Sequence, residues 1–346
     1  MSNIQINPYN FAAAGGVGGW VELGRTTLGS AGDTISVGSL PDKLYLMFLC
    51  YNTATGGDAI QRVQLNSDTA NNYARRNDWN GGGDSTAVNQ AYMTQNNYSL
   101  TLPTFSVGYL SNISTKEKLM ISSSNGQNTV GAGTAPNRSE SVGKWANTSN
   151  AISEVTIYNS EGGSFDTGSE LVVLGYDPTD THTSGGFWEE LASVDLSGGA
   201  ATNIDSGTIT AKKYLWFQFY GDAITSSNSI RVTFNGDTGS NYADRSSQNG
   251  GAEDVNVNTA NMQMTLSTHT TPSFITCFAI NNSANEKLVM NYSIDQNTGG
   301  DGTAPTRVEG VHKWSCEPCQ ITSINFKTSG GANLGTNTKL KVWGSN

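Results

Sequence analysis

Apolar residues recur at every second position in short runs along most of this chain. In SIRVTFN, Ser229 to Asn235, the apolar Ile230, Val232 and Phe234 point one way while Arg231 and Thr233 point the other. That period of two marks a half-buried strand. KLKVW near the C-terminus alternates likewise, with Leu340 and Val342 inward and Lys339 and Lys341 outward. KLYLMFLCY (43–51) and KYLWFQFY (213–220) are almost continuously apolar, as expected for central strands covered on both faces. Turn signals such as Asn-Gly-Asp and Asn-Gly-Gly separate the runs. No stretch has the 3.6-residue period of an amphipathic helix.

The pattern is written twice. TAPNRSESVGKW (134–145) answers TAPTRVEGVHKW (303–314), and RVQLNSDTANNYARR from Arg62 answers RVTFNGDTGSNYADR from Arg231. The offset is constant: 305 − 136 for the prolines and 314 − 145 for the tryptophans both give 169. Trp20 pairs with Trp188 at the front. Two long copies are neither a solenoid nor a propeller; each is a domain of roughly 155–160 residues. About eight strand candidates per copy predict an all-β protein of two tandem homologous antiparallel β-sandwich (jelly-roll-like) domains. The expected spans are an N-terminal arm at 1–19, the first sandwich at 20–176, a linker at 177–186 and the second sandwich at 187–346. The linker rests on the Pro, Gly and polar content of GYDPTDTHTSGG.

Composition narrows the function. Charged residues make up 14% of the 346, with a net charge of −10 and no basic tract, which argues against neutralising nucleic-acid phosphates. No apolar run reaches the ~20 residues of a membrane helix, and the N-terminus lacks the layout of a signal peptide. A soluble chain made in a cytoplasm is expected.

Candidate chemistry is sparse. Arg138, Glu140, Val142 and Lys144 line one face of an extended segment, with Trp145 on the other; Arg307, Glu309, Val311, Lys313 and Trp314 repeat this. The row is expected to be an ion-pair ladder and each Trp a core anchor. Asn66, Asp68 and Asn72, matched by Asn235, Asp237 and Asn241, read as a hairpin turn, with calcium as the alternative. His312, Cys316 and Cys319 form an H-x3-C-x2-C spacing found only in the second copy. It would offer three zinc ligands where a structural site needs four; a C-x-x-C is also found as a reduced turn or a small disulfide, and a plain surface loop is the simpler expectation. Val172 and Leu174 place aliphatics on the outward face of the last strand of copy one, a candidate domain or subunit interface. Trp79, in the polar loop RRNDWNGGG, is the candidate aromatic contact for a sugar. No nucleophile elbow, P-loop or dinucleotide fingerprint is present, so no enzyme and no required cofactor are expected.

ELGRTTLGSAGDTISVGSLPDKLYLMF, FNGDTGSNYA and GTAPNRSESVGKWANTSNAIS with GSELVVLG resemble phage-associated virion structural proteins, known mainly from tailed-phage and environmental viral sequences. The likeness covers both copies and departs at SVDLSGGAATNID and at the cysteine loop of the second. It implies a virion component: a capsid decoration, cement or head-fibre subunit, held to capsid or other virion proteins by the arm. A homo-oligomer, with a trimer favoured, goes with that reading. A carbohydrate- or receptor-binding module of a phage fibre, contacting surface glycan, and a two-jelly-roll major capsid protein are the alternatives. A glycan depolymerase would need two carboxylates facing across a groove.

Overall fold

The computed structural model describes residues 19–180 and 185–346, and every regular element among them is a β-strand. The arm expected at 1–19 therefore lies almost wholly outside the described residues, as does part of the linker. The chain is all-β and antiparallel. In each copy a sheet of eight strands faces a sheet of four.

The eight-stranded sheet of the first copy runs, edge to edge, Val21–Thr27, Glu170–Tyr176, Tyr45–Asn52, Thr104–Ser111, Lys118–Gly126, Asn137–Trp145, Tyr73–Trp79 and Ser85–Gln90. Its four-stranded partner runs Thr34–Val37, Val155–Tyr158, Arg62–Leu65 and Met93–Thr94. The second copy repeats both orders. Its large sheet is Glu189–Asp195, Lys339–Ser345, Tyr214–Gly221, Ser273–Ile280, Lys287–Asp295, Thr306–Trp314, Tyr242–Gln248 and Glu253–Thr259. Its small sheet is Asn203–Asp205, Ile324–Thr328, Ile230–Phe234 and Met262–Gln263. Eight against four departs from the two equal sheets of a simple jelly roll. The extra strands are the short polar ones, such as Ser85–Gln90, whose alternation carries little apolar signal.

The alternating residues build the cores. Ile230, Val232 and Phe234 are fully buried beside Phe217, Phe219 and Phe326, and Phe219 stacks on Phe326 at 4.5 Å between ring centroids. Phe48, Val63, Leu65, Ile157 and Leu171 do the same in the first copy. The duplicated tryptophans anchor both: Trp145 stacks on Tyr73, and Trp314 on Tyr242, each at 6.3 Å.

By contacts the chain divides into two units that are not continuous in sequence. One takes in residues up to 124 and 139–189; the other takes in 125–138 and 190–346. The span from Asn125 to Arg138 is the loop between the strands Lys118–Gly126 and Asn137–Trp145, including the strand ends. It contains the repeated Thr-Ala-Pro, and it belongs to the second unit.

Candidate functional site

The repeated phrase occupies different settings in its two copies. In the second unit, strands Lys287–Asp295, Thr306–Trp314, Tyr242–Gln248 and Glu253–Thr259 are neighbours. Strand alternation places Leu288, Met290, Val311, Lys313, Glu309, Arg245 and Glu253 on the face away from the core. The segment 125–138 lies on this face. Arg138 gives Glu253 two hydrogen bonds, from Nε at 3.1 Å and from a terminal nitrogen at 2.5 Å, with Glu309 at 3.9 Å. Lys313 Nζ donates to the carbonyls of Thr129 (2.6 Å) and Gln127 (3.3 Å). Glu286 accepts from the Gly131 amide. Arg245 Nε donates to the Pro136 carbonyl at 2.9 Å, and the Asn258 amide to the Ala132 carbonyl at 2.9 Å. Asn125 Nδ2 reaches the carbonyls of Val289 and His312, both at 2.9 Å.

This is a socket holding a peptide loop. Leu288, Met290, Val311 and Lys313 are essentially fully buried. Burial pushes the Lys313 ammonium down, against the pull of Glu286, and pushes the Glu286 carboxyl up, against the Gly131 amide and Lys313. Two charges taken out of water remain ionised only when paired and hydrogen-bonded. The loop's carbonyls and amide supply those bonds.

The first copy presents the same surface uncovered. Leu119, Ile121 and Val142, the counterparts of Leu288, Met290 and Val311, are 55%, 64% and 46% exposed. Glu117 and Lys144 pair at 3.1 Å, and Arg76 and Asp84 at 2.8 Å, all four exposed. They match Glu286, Lys313, Arg245 and Glu253 one for one. The second copy's loop is likewise open, with residues 296–305 all exposed. Of the row expected to form a ladder, Arg307 pairs with Glu309 along its own strand, and Lys144 and Lys313 pair with Glu117 and Glu286 just before the neighbouring one, whereas Arg138 leaves its row for Glu253. What sequence reading missed is that 125–138 is a ligand for the ladder of the other copy. The available signal was the loop itself: QNT, then GTAP and Arg, recur with a fidelity that a surface turn does not require.

The remaining candidates do not converge. Cys316 and Cys319 are joined as a disulfide, which corrects the zinc reading: oxidised sulfurs are not thiolate ligands. His312 is fully buried on the core side of its strand, Nε2 lying 2.6 Å from Asn291 Oδ1. Desolvation holds its pKa down to about 3. Among the described residues no group of three or more His, Cys, Asp or Glu could hold a metal ion. The calcium alternative is corrected as well. Asp237 accepts from Trp314 Nε1 at 2.7 Å, from Asn241 and from the Gly239 amide, and Asn235 Oδ1 accepts from the amides of Thr322 and Ser323. Asp68 accepts from Trp145 Nε1, Asn72 and Ala70 in the same way. These oxygens tie the turn to the core anchor. Val172 and Leu174 are fully buried, so they are already covered within the chain and offer no surface to another subunit. Trp79 ends its strand 46% exposed.

No protein-family model matches the chain, and no curated protein matches it. Among solved structures, it is similar to domains LG4-5 of the mouse laminin alpha1 chain at 11% identity, covering 95% of this chain and 91% of that one, with a TM-score of 0.21. The LG1-3 region of the laminin alpha2 chain follows at 9% identity, 90% and 64% coverage and a TM-score of 0.20. Neisserial surface protein A gives 7%, 83% and 99%, and 0.14. Similarities this slight bear on neither function nor partners.

Proposed function

We propose that the chain is a non-enzymatic structural subunit of a virion surface, a capsid decoration or head-fibre protein. The observation that carries the reading is the socket. In it Lys313, Glu286 and Glu253 hold a polypeptide segment by its backbone and its Arg138. The equivalent face of the first copy carries the same charges uncovered, a surface of the kind that takes up polypeptide. The resemblance to phage virion proteins supplies the particle. The test mixes purified full-length chain, and chain lacking residues 1–19, with shells stripped of their surface proteins. Light scattering should register binding by the full chain and its loss on truncation; no binding by either would overturn the reading.

A lectin-like module of a fibre is favoured by one observation, the exposed indole of Trp79. A glycan array on the full chain and on Trp79→Ala decides it: binding lost in the variant supports a sugar platform, and no glycan retained by the full chain rejects it.

A further inference from the structure

We infer that this chain associates head to tail with a second copy of itself, the loop 294–307 of one molecule seating on the exposed face of strands 118–126, 137–145, 73–79 and 85–90 of the next. The inference rests on the structural-subunit reading and names its partner.

Three observations support it. The first is that the interface already exists once within the second unit, and its charged contributors all have equivalents where the corresponding surfaces are open; only the two bonds from Asn125 are lost, Ile294 standing in its place. The bonds from Lys313 to the carbonyls of Gln127 and Thr129 become bonds from Lys144 to those of Gln296 and Thr298. Glu286 accepting from Gly131 becomes Glu117 accepting from Gly300. Arg245 on Pro136 becomes Arg76 on Pro305. Arg138 between Glu253 and Glu309 becomes Arg307 between Asp84 and Glu140.

The second is that the free loop already has the docked conformation. Thr129 donates to Gln127 at 2.8 Å, as Thr298 does to Gln296. Asn128 Nδ2 donates to the Ala135 carbonyl at 3.3 Å, and Asn297 Nδ2 to that of Ala304 at 3.2 Å. Asn128 and Asn297 share φ near +64°, at 65° and 63°, and Gly131 and Gly300 are both at 82°. A loop that is ordered before binding loses little conformational entropy on docking.

The third is that apolar surface is present on both sides. Tyr292 and Ile294 stand exposed at the base of the free loop, and Leu119, Ile121 and Val142 on the open face. The loop tips do differ, Asp301 standing for Ala132 and Gly299 for Val130, but the Ala132 contribution is a backbone carbonyl. Because loop and face are different surfaces, the contact is heterologous: it closes into a ring or grows as a filament, depending on the rotation it imposes.

The experiment measures molar mass by light scattering and sedimentation over roughly 0.1–100 μM full chain. Arg307→Glu and Asp84→Arg change two exposed side chains and should melt like the unmodified chain. Each is expected to weaken association on the order of 100-fold. An equimolar mixture should regain it, since one contact is then unmodified and the other has its charges exchanged. Ile121→Glu, on the open face, should weaken it independently. A chain monomeric throughout, variants that associate undiminished, or a mixture that fails to recover would each overturn the inference. A monomer that still binds stripped shells would leave the structural-subunit reading standing; a monomer that binds none would remove both.

Discussion

Single buried groups set how this protein responds to acid. His312 lies neutral in the sheet interior with its pKa held down to about 3 by desolvation, so between that value and the unfolded ~6.5 the unfolded chain binds more protons. Stability must fall as pH drops through this window, with a limiting slope of about 1.4 kcal/mol per pH unit. Across the strand pair, Asp244 has the opposite sign. Desolvation raises it to about 6, against bonds from Asn256 and the Gln263 amide, so protonation below pH 6 favours the folded state. Urea titrations from pH 7 to 4 should therefore show a shallower loss in His312→Gln and a steeper one in Asp244→Asn than in the unmodified chain. Asp68 and Asp237 act later. Burial raises them, but bonds from their Trp and Asn partners outweigh it and leave both lowered; their stabilisation, present above the unfolded value, disappears as pH falls through the folded one.

One pair of strands carries the same ion pair in two environments, which makes an element-scale test possible. Glu286 and Lys313 are buried under the loop, Lys313 with no exposed surface; Glu117 and Lys144 occupy equivalent positions in the open, with Lys144 47% exposed. Removing one partner of a buried pair strands the other, at about 3–5 kcal/mol, whereas an exposed pair contributes about 0–1 kcal/mol. Thermal melts should show Glu286→Gln strongly destabilised and Glu117→Gln nearly unchanged; equal effects would mean that the loop does not seal the socket. Sequence could reveal only part of this arrangement. Period-two alternation in SIRVTFN and KLKVW, and the constant offset, made the strands, the two sandwiches and the Trp anchors legible, because those depend on local sterics and burial. The third or so of strands that escaped are either polar, such as Ser85–Gln90, or only two residues long, such as Met93–Thr94, and are held by pairing that leaves no periodic trace. The socket escaped for a different reason. Arg138 and Arg307 read identically in sequence, and only the fold seats one between carboxylates while exposing the other. The three soft ligands of the second copy misled similarly, since spacing does not disclose that His312 faces the core while the two cysteines bond each other.

At the scale of the molecule, the interleaved units mean that sequence halves are not folding halves. A fragment of residues 189–346 would contain all the strands of the second sandwich but lack 125–138. Its Leu288, Met290 and Val311 would then be uncovered, as Leu119, Ile121 and Val142 are now. Half-exposing three such side chains costs roughly 1 kcal/mol each. Lys313 and Glu286 would regain water, which partly offsets the loss of their bonds to the loop. The net is a fragment that folds around its intact core, from Phe217 to Trp314, but melts several degrees low and presents an apolar patch. A peptide spanning 125–138 should bind it in trans, raise its melting temperature in proportion to the logarithm of peptide concentration, and lose that effect when Arg138 is replaced by Glu. Calorimetry and a fluorescence titration of the labelled peptide measure both. A fragment as stable as its counterpart in the intact chain, and indifferent to the peptide, would show that the loop rests on the sheet without holding it.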